Sequence, residues 1–266
     1  MKKVAAINDL SGFGRCSLTV ALPVLSAHGI QCCPVPTAIL SNHTGFGTYF
    51  FDDYSDKMMP YIDAWEKLAL QFDCIYTGFL GSEKQIDIVE KIIEKSDGGI
   101  ILVDPVMADD GKIYSTYTPA MCEKMKRLVS LADIVTPNTT EAAILAGTEY
   151  KEKFTDEEVW ALAEKIHALG AKNVVITGVH RNGKIANFAS GEGRFIAESK
   201  EVYLHYMGTG DLFASMLCGY ITNGESLESA VEKSAAFVYK TTKYSLEIGE
   251  KRENGVVFEK FLKDIE

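Results

Sequence analysis

Two glycines and a carboxylate stand just ahead of a long apolar segment in Tyr206-Met207-Gly208-Thr209-Gly210-Asp211-Leu212-Phe213-Ala214. Beyond Asp211, the residues Leu212, Phe213, Met216, Leu217, Tyr220 and Ile221 recur at helical spacing, so Gly208 to Gly210 is expected to form the turn opening a buried helix. The first N–H groups of a helix have no partner within it and carry the positive end of its dipole, and glycine lets a phosphate approach the backbone closely. Gly208, Thr209 and Gly210 therefore read as an anion hole. Asp211 beside it could accept the proton of an alcohol attacking a phosphate, and phosphoryl transfer asks little more of a protein than positioning and charge neutralisation. An ordinary helix start, with Thr209 or Asp211 as its cap, would account for the same residues.

Short apolar runs and amphipathic segments alternate around this motif. Val4 to Ile7 predicts a strand ending at Asn8-Asp9, Leu18 to His28 a helix closed by Gly29, and Gln31 to Leu40 a second strand running into Ser41-Asn42-His43-Thr44. Ser55 to Leu70 predicts a helix and Cys74 to Thr77 a strand followed by Gly78-Phe79. A helix is expected from Ser82 to about Lys95, and Ile100 to Val103 is a strand apolar on both faces that delivers Asp104 at its end. Asp109 to Thr118 holds two acids, Gly111 and two tyrosines without periodicity, and reads as a mobile loop. Pro119 to Leu131 is helical, Ile134 to Thr136 a strand, and Pro137-Asn138-Thr139-Thr140-Glu141 opens the helix Ala142 to Ala146. Asp156 to Leu169 is helical and Asn173 to Ile176 a strand ending at Thr177-Gly178; Arg181-Asn182-Gly183 and Gly191-Glu192-Gly193 mark hairpin turns. Helices over Asp211 to Thr222, Ser226 to about Tyr244 and Gly255 to Lys263 complete the chain. The expected fold is α/β: a doubly wound, mostly parallel sheet with helices on both faces and an antiparallel hairpin near one edge, in one domain over residues 1–266.

Ligands of such sheets bind beyond the carboxyl ends of the strands. Asn8-Asp9, His43-Thr44, Asp104, Thr136 with Asn138, Thr177 and Asp211 all fall there. Each has a plain structural role open to it: Asn138 to Glu141 matches a capping arrangement, Asp104-Pro105 is a common strand exit, and a lone His43 serves loops as readily as catalysis. Their common location weighs more than any one of them. Asp104 and Glu141 are hard oxygen donors suited to Mg²⁺, partly through water, and Thr177 with its neighbouring N–H groups to distal phosphates. With an ordinary carboxylate pKa near 4, Asp211 would serve mainly as the proton's destination once the phosphate is neutralised.

The 266 residues carry a formal net charge of −10, which argues against broad contact with nucleic acid or an anionic membrane. Apolar residues make up 47% of the chain, yet no stretch approaches the roughly 18 to 20 consecutive ones needed to span a bilayer. The basic start, Met1-Lys2-Lys3, leads into a four-residue apolar run and so into a strand rather than a signal peptide, and a cytoplasmic protein is expected. Six cysteines without a C-x-x-C pair argue against a zinc or disulfide framework. The first turn, Asn8 to Arg15, lacks the glycine pattern of a dinucleotide-binding dehydrogenase.

Asp104-Pro105-Val106-Met107, Ala132-Asp133-Ile134-Val135-Thr136-Pro137-Asn138-Thr139-Thr140-Glu141-Ala142 and Gly208-Thr209-Gly210-Asp211-Leu212-Phe213 resemble, in order and spacing, the signatures of the ribokinase-like superfamily. Within it the chain is similar to the vitamin B6 kinases, from residue 4 to about residue 245. The resemblance implies ATP and Mg²⁺ as cofactors, and a B6 vitamer as substrate. Asp211 would take the proton of the 5′-hydroxymethyl group, with Gly208, Thr209 and Gly210 as the anion hole. Asp104, Thr136, Asn138 and Glu141 would lie around the metal and phosphates, and Thr177 near the nucleotide phosphates. His43 and Thr44 match the substrate-side loop, as does Phe79, where relatives often have Tyr. Asp109 and Tyr117 match positions in the loop that closes over both substrates, excluding water. A homodimer is also implied, and such kinases often need a monovalent cation such as K⁺. Asp9 stands where many B6 kinases have Ser, and Asp9-x-Ser11-Gly12 is similar to the opening of the hydroxymethylpyrimidine (phosphate) kinases of thiamine synthesis. Those enzymes, however, typically carry Cys in place of Asp211 and lack the His43-Thr44 pair. A regulator that binds nucleotide without catalysis is a further alternative, which the intact Asp211 and its two glycines disfavour.

Overall fold

Continuous apolar runs become the inner strands of a sheet, and capped amphipathic segments become the helices that cover it. The computed structural model describes residues 1–96 and 98–265. The chain begins with β1 (Lys3–Ser11), α1 (Ser17–Ala27), β2 (Gln31–Leu40), the short β3 (Phe51–Asp53), α2 (Ser55–Lys67), β4 (Cys74–Thr77), α3 (Glu83–Glu94) and β5 (Ile100–Val103). A two-stranded ribbon, β6 (Ala108–Asp109) and β7 (Lys112–Ile113), precedes α4 (Pro119–Ser130), β8 (Ile134–Val135), α5 (Thr139–Leu145) and α6 (Asp156–Leu169). Next come β9 (Asn173–Arg181), β10 (Lys184–Ser190), β11 (Arg194–Lys200), α7 (Thr209–Thr222) and α8 (Leu227–Glu247).

The helix starts follow their caps. Ser82 accepts from Gln85 N–H and Thr118 from Met121 N–H, while Asn138 with Glu141 and Thr155 with Glu158 form reciprocal capping boxes. The nine-stranded sheet has the order β11-β10-β9-β8-β5-β4-β1-β2-β3, parallel from β9 to β2. Antiparallel strands finish both edges: β10 and β11 at one, as expected, and β3 at the other, which the sequence pattern does not reveal. From β1 the chain moves outward to β2 and then returns across β1 to β4, so strand order reverses between β1 and β4. A crevice opens at such a reversal.

Two apolar layers sandwich the sheet. One packs Met58, Ile86, Val89, Met125, Leu128, Leu145, Val159 and Ile166 from α2 to α6, and the other packs Leu18, Leu25, Phe213, Met216, Leu217 and Val231 from α1, α7 and α8. The helix expected over Gly255 to Lys263 is absent. Gly255 has φ 81°, Val256 and Phe258 are buried, and only a 3₁₀ turn, Glu259–Asp264, follows. Their burial anchors the segment and Val257 N–H donates to Ser245 Oγ at 2.8 Å, a contact available to a chain end that does not coil. The loop expected over Asp109 to Thr118 begins instead as a hairpin. Asp110 and Gly111, at φ 47° and 74°, make the left-handed pair that a two-residue type I′ turn requires.

Candidate active site

At the crevice lies a cavity of about 390 Å³. Its floor is built where β1, β4 and α7 meet. Gly208, with φ 75°, turns the chain into α7, and a Cβ there would overlap the carbonyl oxygen of Arg15, so the start of α7 can approach the start of α1 only through a glycine. Gly208, Thr209, Gly210 and Asp211 all line the cavity, and the first N–H groups of α7 lack helical partners. Buried Asn8 within β1 reaches Asp211: its Nδ2 stands 3.5 Å from Asp211 Oδ1, while its Oδ1 accepts from Asp9 N–H at 2.9 Å and Phe79 N–H at 2.8 Å.

Burial lifts the Asp211 carboxyl to about 6, and the nearby Asp9 charge adds to the lift; Ser17 N–H and Asn8 oppose it. Ser17, the first residue of α1, holds φ 50°, a strained conformation for a residue with a Cβ, and it lines the same cavity. Asp9 sits where the β1–β2 register slips, is 6% exposed, and accepts from Ser11 Oγ at 2.8 Å. Burial raises its pKa, against the opposing hydroxyls of Ser17 and Ser11.

Asp104 and Glu141 line the same cavity. Thr136 Oγ1 donates to Asp104 Oδ1 at 3.1 Å. Glu141 Oε1 accepts from Met107 N–H at 3.0 Å and its Oε2 from Asn138 N–H at 2.9 Å, so one side chain caps α5 and holds the chain that leads into β6. Burial raises both pKa values; repulsion from Asp211 adds to the effect at Asp104, and repulsion from Asp104 adds to it at Glu141. None of the ion pairs among the described residues involves Asp9, Asp104, Glu141 or Asp211. Buried carboxylates without basic partners are a setting that a divalent cation would relieve. Among the described residues no group of three or more His, Cys, Asp and Glu forms a metal-binding cluster, so Asp104 and Glu141 suit a cation that brings phosphate and water as its remaining ligands.

Thr177 lies inside β9, where Gly178 at φ 70° bends the strand and donates to Asn187 Oδ1 at 3.3 Å; Thr177 pairs with Asn138 across the isolated bridge beyond β8. Asp109 lines the cavity from the hairpin, facing His205 and Arg252, whose charges oppose the burial that raises its pKa. Thr44 and Phe79 line the far end. His43 lines it too, but both ring nitrogens are engaged: Nε2 donates to the Glu253 carbonyl at 2.7 Å and Nδ1 accepts from Gly45 N–H at 3.1 Å. Its task here is to tie the 43–46 loop to the chain after α8.

Every site residue expected from the sequence surrounds this one cavity except Tyr117. It is 6% exposed inside an apolar layer, and its hydroxyl has no hydrogen-bond partner among the described residues. Tyr114 and Thr116 line the cavity in its stead. The tight Asp110-Gly111 turn explains the correction, because it returns the chain early enough for Tyr117 to enter the core ahead of the Thr118 cap. The structural parts of Asn8 and Ser17 are not legible from residue type; Asn8 stands beside Asp9, but nothing marks Ser17 as left-handed.

The model of the family described as phosphomethylpyrimidine kinase matches residues 21–256. A protein of Bacteroides thetaiotaomicron assigned to the phosphomethylpyrimidine kinases, crystallised with pyridoxal, is 37% identical, with a TM-score of 0.95 over 99% of this chain and 95% of its own. The pyridoxal kinase of Lactobacillus plantarum is 28% identical, with a TM-score of 0.94 over 100% and 96% of the two chains. A pyridoxine/pyridoxal/pyridoxamine kinase of Bordetella avium is 30% identical over 255 residues, 88% of this chain and 82% of the relative.

Proposed function

The chain belongs to the phosphomethylpyrimidine kinase family, and from that premise we propose that it transfers the terminal phosphoryl group of ATP to the 5′-hydroxymethyl group of a vitamin B6 vitamer: pyridoxal, pyridoxine or pyridoxamine. The observation that carries this reading is one cavity lined both by Asp211 with the open N-terminus of α7 and by Asp104 with Glu141. The pyridoxal in the crystals of the 37% identical relative supports the choice of substrate.

In this reading Asp211 accepts the hydroxymethyl proton as its oxygen attacks phosphorus. The N–H groups of the anion hole, Gly208, Thr209 and Gly210, meet the negative charge on the transferring group, and the lengthening bond to the leaving phosphate breaks on the opposite side. Mg²⁺, held by Asp104 and Glu141, would supply charge neutralisation for the phosphates; Thr136, Asn138 and Thr177 lie beside them and orient the polyphosphate. A base lifted to about 6 is better matched to neutral pH than an ordinary carboxylate and remains mostly ionised there. Asp109 on the hairpin closes the cavity against water.

Thr44, His43 and Phe79 frame the vitamer end, His43 through its ring carbon face since its nitrogens are occupied. Asp9 pairs with the protonated pyridine nitrogen of the vitamer or with a nearby cationic group, which offsets the burial that raises its pKa. Relative turnover of the three vitamers by Asp9→Ser tests this; unchanged ratios remove Asp9 from the ring contact. The phosphomethylpyrimidine kinase description of the family favours a second reading, phosphorylation of hydroxymethylpyrimidine. Purified protein with MgATP and each of the four acceptors decides between them, and preference for the pyrimidine would overturn the first. Asp211→Asn distinguishes either kinase from a nucleotide-binding regulator, since it should abolish turnover while nucleotide still binds.

The same reading takes residues 1–266 as one catalytic domain in a cytoplasmic homodimer. Six free cysteines suit a reducing compartment, and exposed Tyr49, Phe50 and Phe51 beside edge strand β3 suit a contact between copies. Light scattering tests the dimer, and turnover with and without K⁺ tests the monovalent cation.

A further inference from the structure

We propose that Asn8 is a positioning residue of the phosphoryl transfer: its side-chain amide, locked in one orientation by two backbone donors, aims the Asp211 carboxylate at the acceptor hydroxyl. The proposal rests on Asp211 being the base. Asn8 is 1% exposed, and its Oδ1 takes both Asp9 N–H and Phe79 N–H, which uses the two lone pairs of that oxygen. Flipping the amide would set its NH₂ against two N–H donors, so the orientation is fixed by the network. Nδ2 must then face Asp211, at 3.5 Å from Oδ1. That length is at the outer limit of a hydrogen bond, a hold that sets direction while leaving the carboxylate room to close on a proton.

Gly78 supports the same conclusion independently. A Cβ on Gly78 would lie 2.6 Å from Asn8 Cγ and 2.9 Å from its Oδ1, and would overlap Nδ2. Gly78 is not in the left-handed region, so its backbone conformation does not demand glycine. The space it leaves is the space Asn8 occupies. One amide thereby joins β1, the chain leaving β4 and the first turn of α7.

Other groups facing Asp211 do not replace this donor. Asp9 on β1 and Asp104 beyond β5 are acids, while Cys16 ahead of α1, Tyr76 on β4 and Tyr114 after the hairpin keep their hydrogens but make no hydrogen bond to Asp211. Ser17 N–H alone shares the task, from the opposite side.

Asn8→Asp separates the clamp from the aim, because it keeps the oxygen that accepts from Asp9 and Phe79 and exchanges only the NH₂. At about pH 9 the new carboxylate is charged and repels Asp211, so kcat should fall about tenfold or more below wild type; near pH 6 the pair holds one proton, its O–H donates to Asp211, and the deficit should shrink to about threefold or less. A variant-to-wild-type kcat ratio that stays flat over that range overturns the proposal, as does wild-type kcat throughout. Gly78→Ala, which removes no polar group, should lower kcat about tenfold with the MgATP dissociation constant within about twofold of wild type. Wild-type kcat in Gly78→Ala also overturns it, and this variant decides the matter if Asn8→Asp does not fold. Asp211→Asn is the control: residual wild-type turnover refutes the base itself, whereas an inactive Asp211→Asn beside a flat Asn8→Asp ratio refutes only the role of Asn8.

Discussion

Replacing Asp211 by Asn should cost the protein its activity and raise its stability. Asp211 has a folded-state pKa lifted from 3.8 to about 6, chiefly by burial. A carboxyl with a raised folded pKa favours the native state fully below its unfolded value, and that contribution is lost as pH rises through the folded one. A rise of that size corresponds to about 3 kcal/mol at most, present as a penalty on wild type at pH values above about 7, much reduced near pH 4 and absent only well below the unfolded value, where both states hold the proton. Asn cannot ionise and so escapes the penalty, and its side-chain oxygen can still face Asn8 Nδ2. For a chain of this size the gain amounts to a rise in Tm of roughly 5 to 10 °C at neutral to alkaline pH. Turnover should fall about 10²-fold or more, the usual contribution of a positioned base. Thermal unfolding of both proteins at about pH 4, 6 and 8, run beside a coupled assay, provides the check. A variant no more stable than wild type at the highest pH, or a gain that is the same at all three, would refute the reasoning.

The acid limb of kcat/KM should fall near pH 6, since only ionised Asp211 accepts a proton; a limb near 4 would mean that burial does not set its affinity. Gly208→Ala brings a Cβ onto the backbone oxygen of Arg15 at a left-handed position, and urea unfolding should register a loss of about 3 kcal/mol or more together with loss of turnover. Tyr117→Phe removes a buried hydroxyl that has no partner among the described residues, so stability should hold or rise and steady-state constants should not change; a raised KM would return Tyr117 to the substrate side.

Strands with both faces buried were the most legible elements, because burial on two sides leaves an uninterrupted apolar run: Cys74–Thr77 and Ile100–Val103 agree residue for residue with their expected bounds. So does Asp156–Leu169, whose capping box and closing Gly170 are local signals. Strand β3 was hidden because its three residues pair at an edge and no alternation can show in so short a run. The hairpin after β5 was hidden for a different reason. Asp110-Gly111 is a strong turn signal, but the strands it joins are two residues each and only their packing on α5 makes them visible, with Gly111 N–H donating to Thr140 Oγ1 at 2.9 Å. The gathering of Asp104 and Asp211 followed from their positions after strands, whereas Asp9, expected beyond the first strand, lies inside β1, which runs on to Ser11. What residue types could not convey was direction: that His43 has no free nitrogen, that Tyr117 turns inward, and that Asn8 is held by its oxygen.

Glu141 is gripped from two sides, by the first turn of α5 through Asn138 and by the root of the β6–β7 ribbon through Met107 and Ala108. A carboxylate shared in this way acts as a mechanical joint. Truncating Glu141 to alanine would therefore free the start of α5 and the root of the ribbon in one step.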